Sequence, residues 1–301
     1  MIWSFSSSRT FRQCQRWWYF KDIFASAIAK DPLRNEAHRM SKLQSVSAWR
    51  GHIVDDVISG TLVRALRQRR PVTLPQLLDA ARSQFDRGRA GTGAGEPAAK
   101  ESPRFRSREY GIEITDGEFD SAWADIETAL RGLFVFDDLR RRMKTATHLV
   151  AQRPLMFRVG GVSVRSVPDL IIFSEGTPLI VDWKVHFQPV HDYRLQLALY
   201  ALALTRATRH ADFPAVPPDA THIELVEAQL LTGEQRRYEL TDHDVDAVET
   251  YVASTSWQMQ RALDGGTAAT LRPEDFTVTK YAESCLRCPF QRLCWERPRA
   301  A

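Results

Sequence analysis

No stretch of this chain approaches the roughly 20 apolar residues needed to cross a bilayer, and its opening, MIWSFSSSRTFRQCQRWWYF, has no long apolar run. Neither a membrane helix nor a secretory signal is expected, which points to a reducing cytoplasm. Cysteine is scarce, four residues in 301, and a chain of that length would be sparsely bridged by two disulfides, so metal ligands or buried thiols are favoured. No GxxxxGK[ST] phosphate loop occurs, which argues against a motor or ATPase. No repeat of about 20–50 residues is evident either, so a solenoid is not expected. The net charge is only +4, and lysine is so scarce that the basic side is nearly all arginine. Guanidinium forks suit phosphate, so a polyanionic partner fits, although a solvated surface fits equally.

What is present is enough for a core: 44% hydrophobic residues in 301 can fill one large domain or two modest ones. Apolar spacing predicts helices over 11–30, 46–68 and 117–144, hence a helical N-terminal part. Residues 86–108, rich in Gly, Ala, Pro and charge, read as a flexible insertion. The period then changes. Segments 148–159, 161–173 and 178–187 read as successive strands of a meander, followed by a helix at 191–207. A strand at 221–231, a turn at 232–235, a partner strand at 236–240 and a helix at 242–264 complete the pattern. The expected segments are a helical lobe over 1–145, a core over 146–270 and a terminal segment over 271–301.

Two constellations carry chemistry. Asp169 opens the apolar run DLIIF, and Asp182 and Lys184 lie in the next, LIVDWKV. Alternate strand residues share a face, so Asp182 and Lys184 point together while Trp183 points opposite. If the two strands pair, Asp169 joins them, and a divalent cation compensates two carboxylates buried in an apolar sheet. The alternative is a plain salt bridge between Asp182 and Lys184. The second constellation is Cys14 with Cys285, Cys288 and Cys294, a one-plus-three layout that reads as a single soft-metal site tying the chain ends together. Zinc competes there, although it more often takes two close pairs.

The order PD, then DxK after twelve residues, then Gln196 and Tyr200 as QxxxY in RLQLALYALAL, resembles the RecB-like branch of the PD-(D/E)xK nuclease superfamily. With CQRWWYF at the start and CLRCPFQRLC at the end, it is similar to the iron-sulfur-stapled members, which include the AddB nuclease domain and CRISPR-associated exonucleases. The resemblance implies an α/β (α+β) fold with a restriction-endonuclease-like core: a mixed, mainly antiparallel sheet flanked by helices. It also implies that Asp169 and Asp182, with the Trp183 carbonyl, ligate Mg²⁺ or Mn²⁺, that Lys184 sits by the attacking water, and that Gln196 and Tyr200 brace the site. Cys14, Cys285, Cys288 and Cys294 would hold a 4Fe-4S cluster. Where the family places a metal-binding histidine four residues after a glycine, WRGHIVDDVI has Asp55, four after Gly51. His52, three residues and most of a helical turn away, is the other candidate, in place of Asp55 or together with it, and helical phase favours Asp55.

The implied function is a metal-dependent DNase, acting on single-stranded DNA or DNA ends in repair, recombination or defence, with a helicase or other motor as partner for long duplex. Two other readings stay open. One is a nucleic-acid-binding subunit without turnover, suggested by Asp55; the other is a zinc-stapled interaction protein.

Overall fold

The computed structural model describes residues 1–90, 102–174, 176–186, 193–208, 213–217 and 219–295. Part of the expected insertion, residues 91–101, the last residue of the expected 178–187 strand and the first two of the expected 191–207 helix lie outside them. Among the described residues no helix is long and apolar enough to cross a membrane.

A five-stranded sheet organises the molecule. Its strands are β3 (His148–Ala151), β6 (Leu170–Phe173), β7 (Leu179–Lys184), β8 (Glu224–Gln229) and β9 (Glu234–Tyr238), in the order β3-β6-β7-β8-β9. Three of the neighbouring pairs are antiparallel, and only β7 and β8 run parallel, joined through the helix Arg194–Arg206. The sheet is therefore mixed and mainly antiparallel, with helices on both faces.

Those helices explain the near-continuous apolar runs, because strands covered on both sides have no solvent face to mark with polar residues. Ile171, Phe173 and Ile180 face one core, made with the N-terminal aromatics and the helices Arg194–Arg206 and Asp242–Leu263. Leu170, Ile172, Leu179, Val181 and Trp183 face a second core, built on the helices Val46–Val57, Leu74–Ala90 and Asp116–Gly132. Side-chain capping fixes several starts: Thr115 with Glu118, and Thr241 with Asp244, form capping boxes.

Several expectations are corrected. The meander is interrupted: 148–159 is two strands, β3 and β4 (Leu155–Val159), because Gln152 turns left-handed at φ 52° and Pro154 follows. β4 pairs only with β5 (Val162–Ser166), as a separate hairpin about Gly160 and Gly161. That leaves β3 to pair with β6. The backbone at Trp3 adds to the hairpin edge, donating to Ser163 O and accepting from Arg165 N. The 11–30 helix is broken at Cys14, which is extended, and ends as a π-helical turn over Tyr19–Phe24. The 117–144 helix is two, with a 3-10 turn between. Residues 86–90, expected in the insertion, continue the helix Leu74–Ala90. A short parallel contact joins β1 (Leu43–Gln44) to β2 (Arg104–Phe105), with Leu43 packed against the first core and Phe105 buried in the second. The last hairpin turns at 230–233, two residues earlier than expected, with Gly233 at φ 71°.

Gly132 marks a close approach between a helix and the β8–β9 turn: a Cβ there would press into the Leu230 carbonyl oxygen. Backbone cannot yield as a flexible side chain can, so Gly132→Ala is expected to cost about 1–3 kcal/mol of overpacking strain. A urea titration of the variant tests this; an unchanged midpoint would show that the helix and the β8–β9 turn slide freely.

Candidate active site

β7 sets the site by its period of two. Ile180, Asp182 and Lys184 share one face, and Leu179, Val181 and Trp183 the other. The antiparallel pairing Leu170↔Val181 brings Asp169, just before β6, opposite Asp182. In the parallel register Asp182 lies beside Glu227, and Glu227 beside Arg236 on β9. One row across the sheet therefore reads Asp169, Asp182, Glu227, Arg236.

Each acid has a distinct set of partners. Asp169 Oδ2 accepts from the Trp183 N–H at 3.0 Å and Oδ1 from Gln152 Nε2 at 3.1 Å. The Trp183 ring is buried in the opposite core, so only its backbone faces Asp169. Asp182 is 2% exposed; its Oδ1 accepts from Gln196 Nε2 at 3.4 Å, and its Oδ2 touches Lys184 Nζ as an ion pair. No hydrogen bond of ordinary geometry reaches Oδ2, despite that close approach. Glu227, fully buried, is satisfied instead by Gln229 Nε2 at 2.6 Å and Tyr238 OH at 2.7 Å, with Arg236 3.8 Å away.

The helix Arg194–Arg206 places Gln196 and buried Tyr200 one turn apart, and Gln196 Nε2 also donates to the Tyr200 hydroxyl at 2.6 Å. Arg194 is turned away, bonded to Glu239 O at 3.0 Å and Asp244 Oδ2 at 3.2 Å.

Asp55 comes from the second core. Its helix is tied to the end of β7 by Arg50, whose guanidinium donates to Val185 O at 2.6 Å and pairs with Asp125. Asp55 there feels the charges of Asp182 and Lys184. His52 projects elsewhere, sitting near Asp56 in a separate cleft with Arg39, Arg87 and Arg104.

The electrostatics follow from burial. Burial first, then Asp182 and Asp56, raise the Asp55 pKa to about 7. Burial followed by Asp182 and Asp55 holds Asp169 well above the usual carboxylate range. Asp182 is raised by burial, with Lys184 opposing. Burial alone would lower Lys184, but Asp182 and Asp169 outweigh it and keep the amine charged. Three acids that resist ionisation together, one with an orphaned buried oxygen, suit a divalent cation, which neutralises them with oxygen ligands. Among the described residues no three His, Cys, Asp or Glu side chains form a ready-made cage. The contacts account for this at the acids: Lys184 covers Asp182 Oδ2, and Trp183 and Gln152 engage both oxygens of Asp169.

The cysteines meet at the other end of the first core. All four line one pocket with Trp17, Phe20 and Phe290, and all are free thiols. Cys288 is pushed up to about 12 by burial and then by its three fellow thiols, and Cys285 is raised by burial, Cys14 and Cys294. The chain ends are tied by other contacts too: Arg16 N donates to Thr277 O at 3.2 Å, and Tyr19 stacks on Phe276 with ring centroids 4.6 Å apart.

Sequence reasoning missed Glu227, Arg50, Gln152 and the pair His186 and Tyr193. For Glu227 a signal existed, an acid at an inward phase of the apolar strand IELVEAQLL; the others announce nothing locally.

The family model for the PD-(D/E)XK nuclease superfamily matches residues 2–295. No curated protein matches the sequence. Among solved structures, the chain is similar to a "Putative exonuclease" from Eubacterium rectale, with 14% identity and a TM-score of 0.42, over 98% of this chain and 92% of that one. It is also similar to SSO0001, with 13% identity and a TM-score of 0.27, over 63% of this chain and 92% of that one.

Two outcomes follow from the geometry. A native Asp55 that titrates near 7 instead of 3.8 binds its proton more tightly than the unfolded chain does. Its stabilisation is complete below pH 3.8 and is lost as pH rises through 7, a slope on the order of 1.4 kcal/mol per pH unit. In chelator, stability measured by urea titration should fall across that window, less steeply by about one proton in Asp55→Asn. An equal slope in both proteins would refute the assignment to Asp55. Arg50→Ala leaves Asp125 unpaired at a half-buried site and should cost about 3 kcal/mol, read by thermal unfolding against Arg50→Lys.

Proposed function

The chain belongs to the PD-(D/E)XK nuclease superfamily, and we propose that it is a divalent-metal-dependent deoxyribonuclease acting on single-stranded DNA or DNA ends. The observation that carries the reading is the placement of Asp169 against Asp182 across β6 and β7, with Lys184 on the same face. Nucleases of this superfamily use divalent metals such as Mg²⁺ or Mn²⁺. In this chain Asp169, Asp182 and Asp55 are the carboxylates to hold one, with the Trp183 carbonyl as a further ligand. A bound divalent ion lowers the pKa of water and offsets charge on the phosphate.

The remaining roles belong to the protein. Lys184, kept protonated by its acidic neighbours, offers a fixed positive charge to a phosphate oxygen or to the attacking water. Gln196 holds Asp182 Oδ1 and is itself braced by Tyr200, so the carboxylate cannot rotate freely. Burial of these groups excludes water and strengthens their interactions.

We propose further that the four cysteines, which line one pocket, hold a 4Fe-4S cluster of structural role. Four thiols gathered in one half-buried place repel one another once ionised, and iron relieves that. Linking residue 14 to the last segment closes a loop that contributes up to about 5 kcal/mol by chain entropy. Such thiolates persist in a reducing cytoplasm, and a helicase or similar motor would supply the opened strand.

Protein purified without oxygen should be brown, with broad visible absorbance lost in Cys14→Ala. It should degrade labelled DNA with Mg²⁺ or Mn²⁺ and stop with EDTA. Asp182→Asn and Lys184→Ala should each lower the rate about a hundredfold or more. DNA binding without cleavage at any divalent ion would identify a binding subunit instead, and a colourless, zinc-containing preparation would replace the iron.

A further inference from the structure

Among the described residues the Lys184 ammonium touches an ion-pair partner, Asp182, and an aromatic ring, and it also feels the charge of Asp169; the proposed chemistry draws Asp182 away from it. Asp182 Oδ2, its ion-pair partner, is also a buried oxygen without a hydrogen bond of ordinary geometry. If that oxygen turns to a cation, as the nuclease reading requires, the ammonium loses its main anchor at the moment its position matters. The aromatic ring is that of Tyr193, whose centroid lies 4.2 Å from Lys184 Nζ. A cation over an aromatic face is attracted by the ring itself, whatever Asp182 does.

We infer that Tyr193 is a positioning residue, its ring holding the Lys184 ammonium in place when Asp182 is otherwise engaged. Three observations support the assignment. Tyr193 is the residue immediately before the helix Arg194–Arg206, packed half-buried against the first core, so its ring is anchored by the helix that carries Gln196. Its hydroxyl is fixed by His186 Nε2 at 3.0 Å. His186 is in turn held on the backbone that leaves β7 after Lys184, just past the Val185 carbonyl that Arg50 grips at 2.6 Å. Ring, lysine and strand end thus form a closed loop of contacts, and only 13% of the Lys184 side chain is exposed.

The test separates this role from the nuclease reading by dispensing with metal and substrate. In Asp182→Asn the ion pair is absent, and the acylation rate of the Lys184 amine by an activated ester, followed by peptide mass spectrometry, reports how well the amine is held. Adding Tyr193→Leu should speed labelling about 3- to 30-fold, the range of a cation–π contact, whereas adding Tyr193→Phe, which keeps the ring, should leave it unchanged. In the otherwise wild-type enzyme Tyr193→Leu should lower kcat by a similar factor at unchanged KM, with Tyr193→Phe near wild type. Tyr193→Met replaces Leu if thermal unfolding shows that Leu does not fold. Labelling indifferent to the ring overturns the proposal. So does a Phe variant as defective as Leu, which would make the hydroxyl and His186 the working groups. Ring-dependent labelling in a protein that cleaves no DNA would retain the positioning role and reject the nuclease reading.

Discussion

Three carboxylates side by side on an otherwise apolar sheet face are the constraint around which the rest of the site is built. Asp182 is almost fully buried, with Asp169 on one flank and Glu227 on the other. Each buried charge costs several kcal/mol unless it is compensated, and adjacent like charges add to that. The compensation is divided. Glu227 is satisfied by Gln229, Tyr238 and Arg236, so it takes part in the charge balance without offering a free oxygen. Asp169 accepts from the backbone of the neighbouring strand, at Trp183 on β7, and from Gln152. Asp182 alone keeps an oxygen with no hydrogen bond, against Lys184. The row is therefore graded from closed to reactive, which a symmetric set of acids would not be.

That grading depends on elements far apart in the chain. Arg50 ties the helix that carries Asp55 to the end of β7, so the two cores meet at the site instead of at an inert seam. The first core reaches from the helix behind Asp182 to the cysteine pocket through a continuous set of aromatics that includes Tyr19, Phe20, Phe276 and Phe290. Ordering of the chain ends is thereby linked to the packing that supports Gln196 and Tyr200.

The β-hairpin that leaves the sheet shows where sequence reasoning failed and why. Residues 148–173 alternate and turn as a meander should, and although Pro154 marks a break after β3, nothing local says that β4 and β5 pair only with each other. The slot beside β6 goes to β3, and the hairpin packs its Leu155, Phe157 and Val159 under the helix Arg194–Arg206 instead. Such choices are made by competition among distant partners, which periodicity does not record.

The sequence by itself determined what depends on near neighbours along the chain. The period of two put Asp182 and Lys184 on one face with Trp183 behind, and one helical turn joined Gln196 to Tyr200. Tertiary structure decided everything that depends on register and on the meeting of separate elements. It set Asp169 and Glu227 on either side of Asp182, brought Asp55 rather than His52 toward them, and laid Tyr193 under Lys184. The reason is physical: alternation and helical phase are set by bonds between adjacent residues, whereas register and docking are set by the burial of whole faces, to which the chain contributes from separate elements.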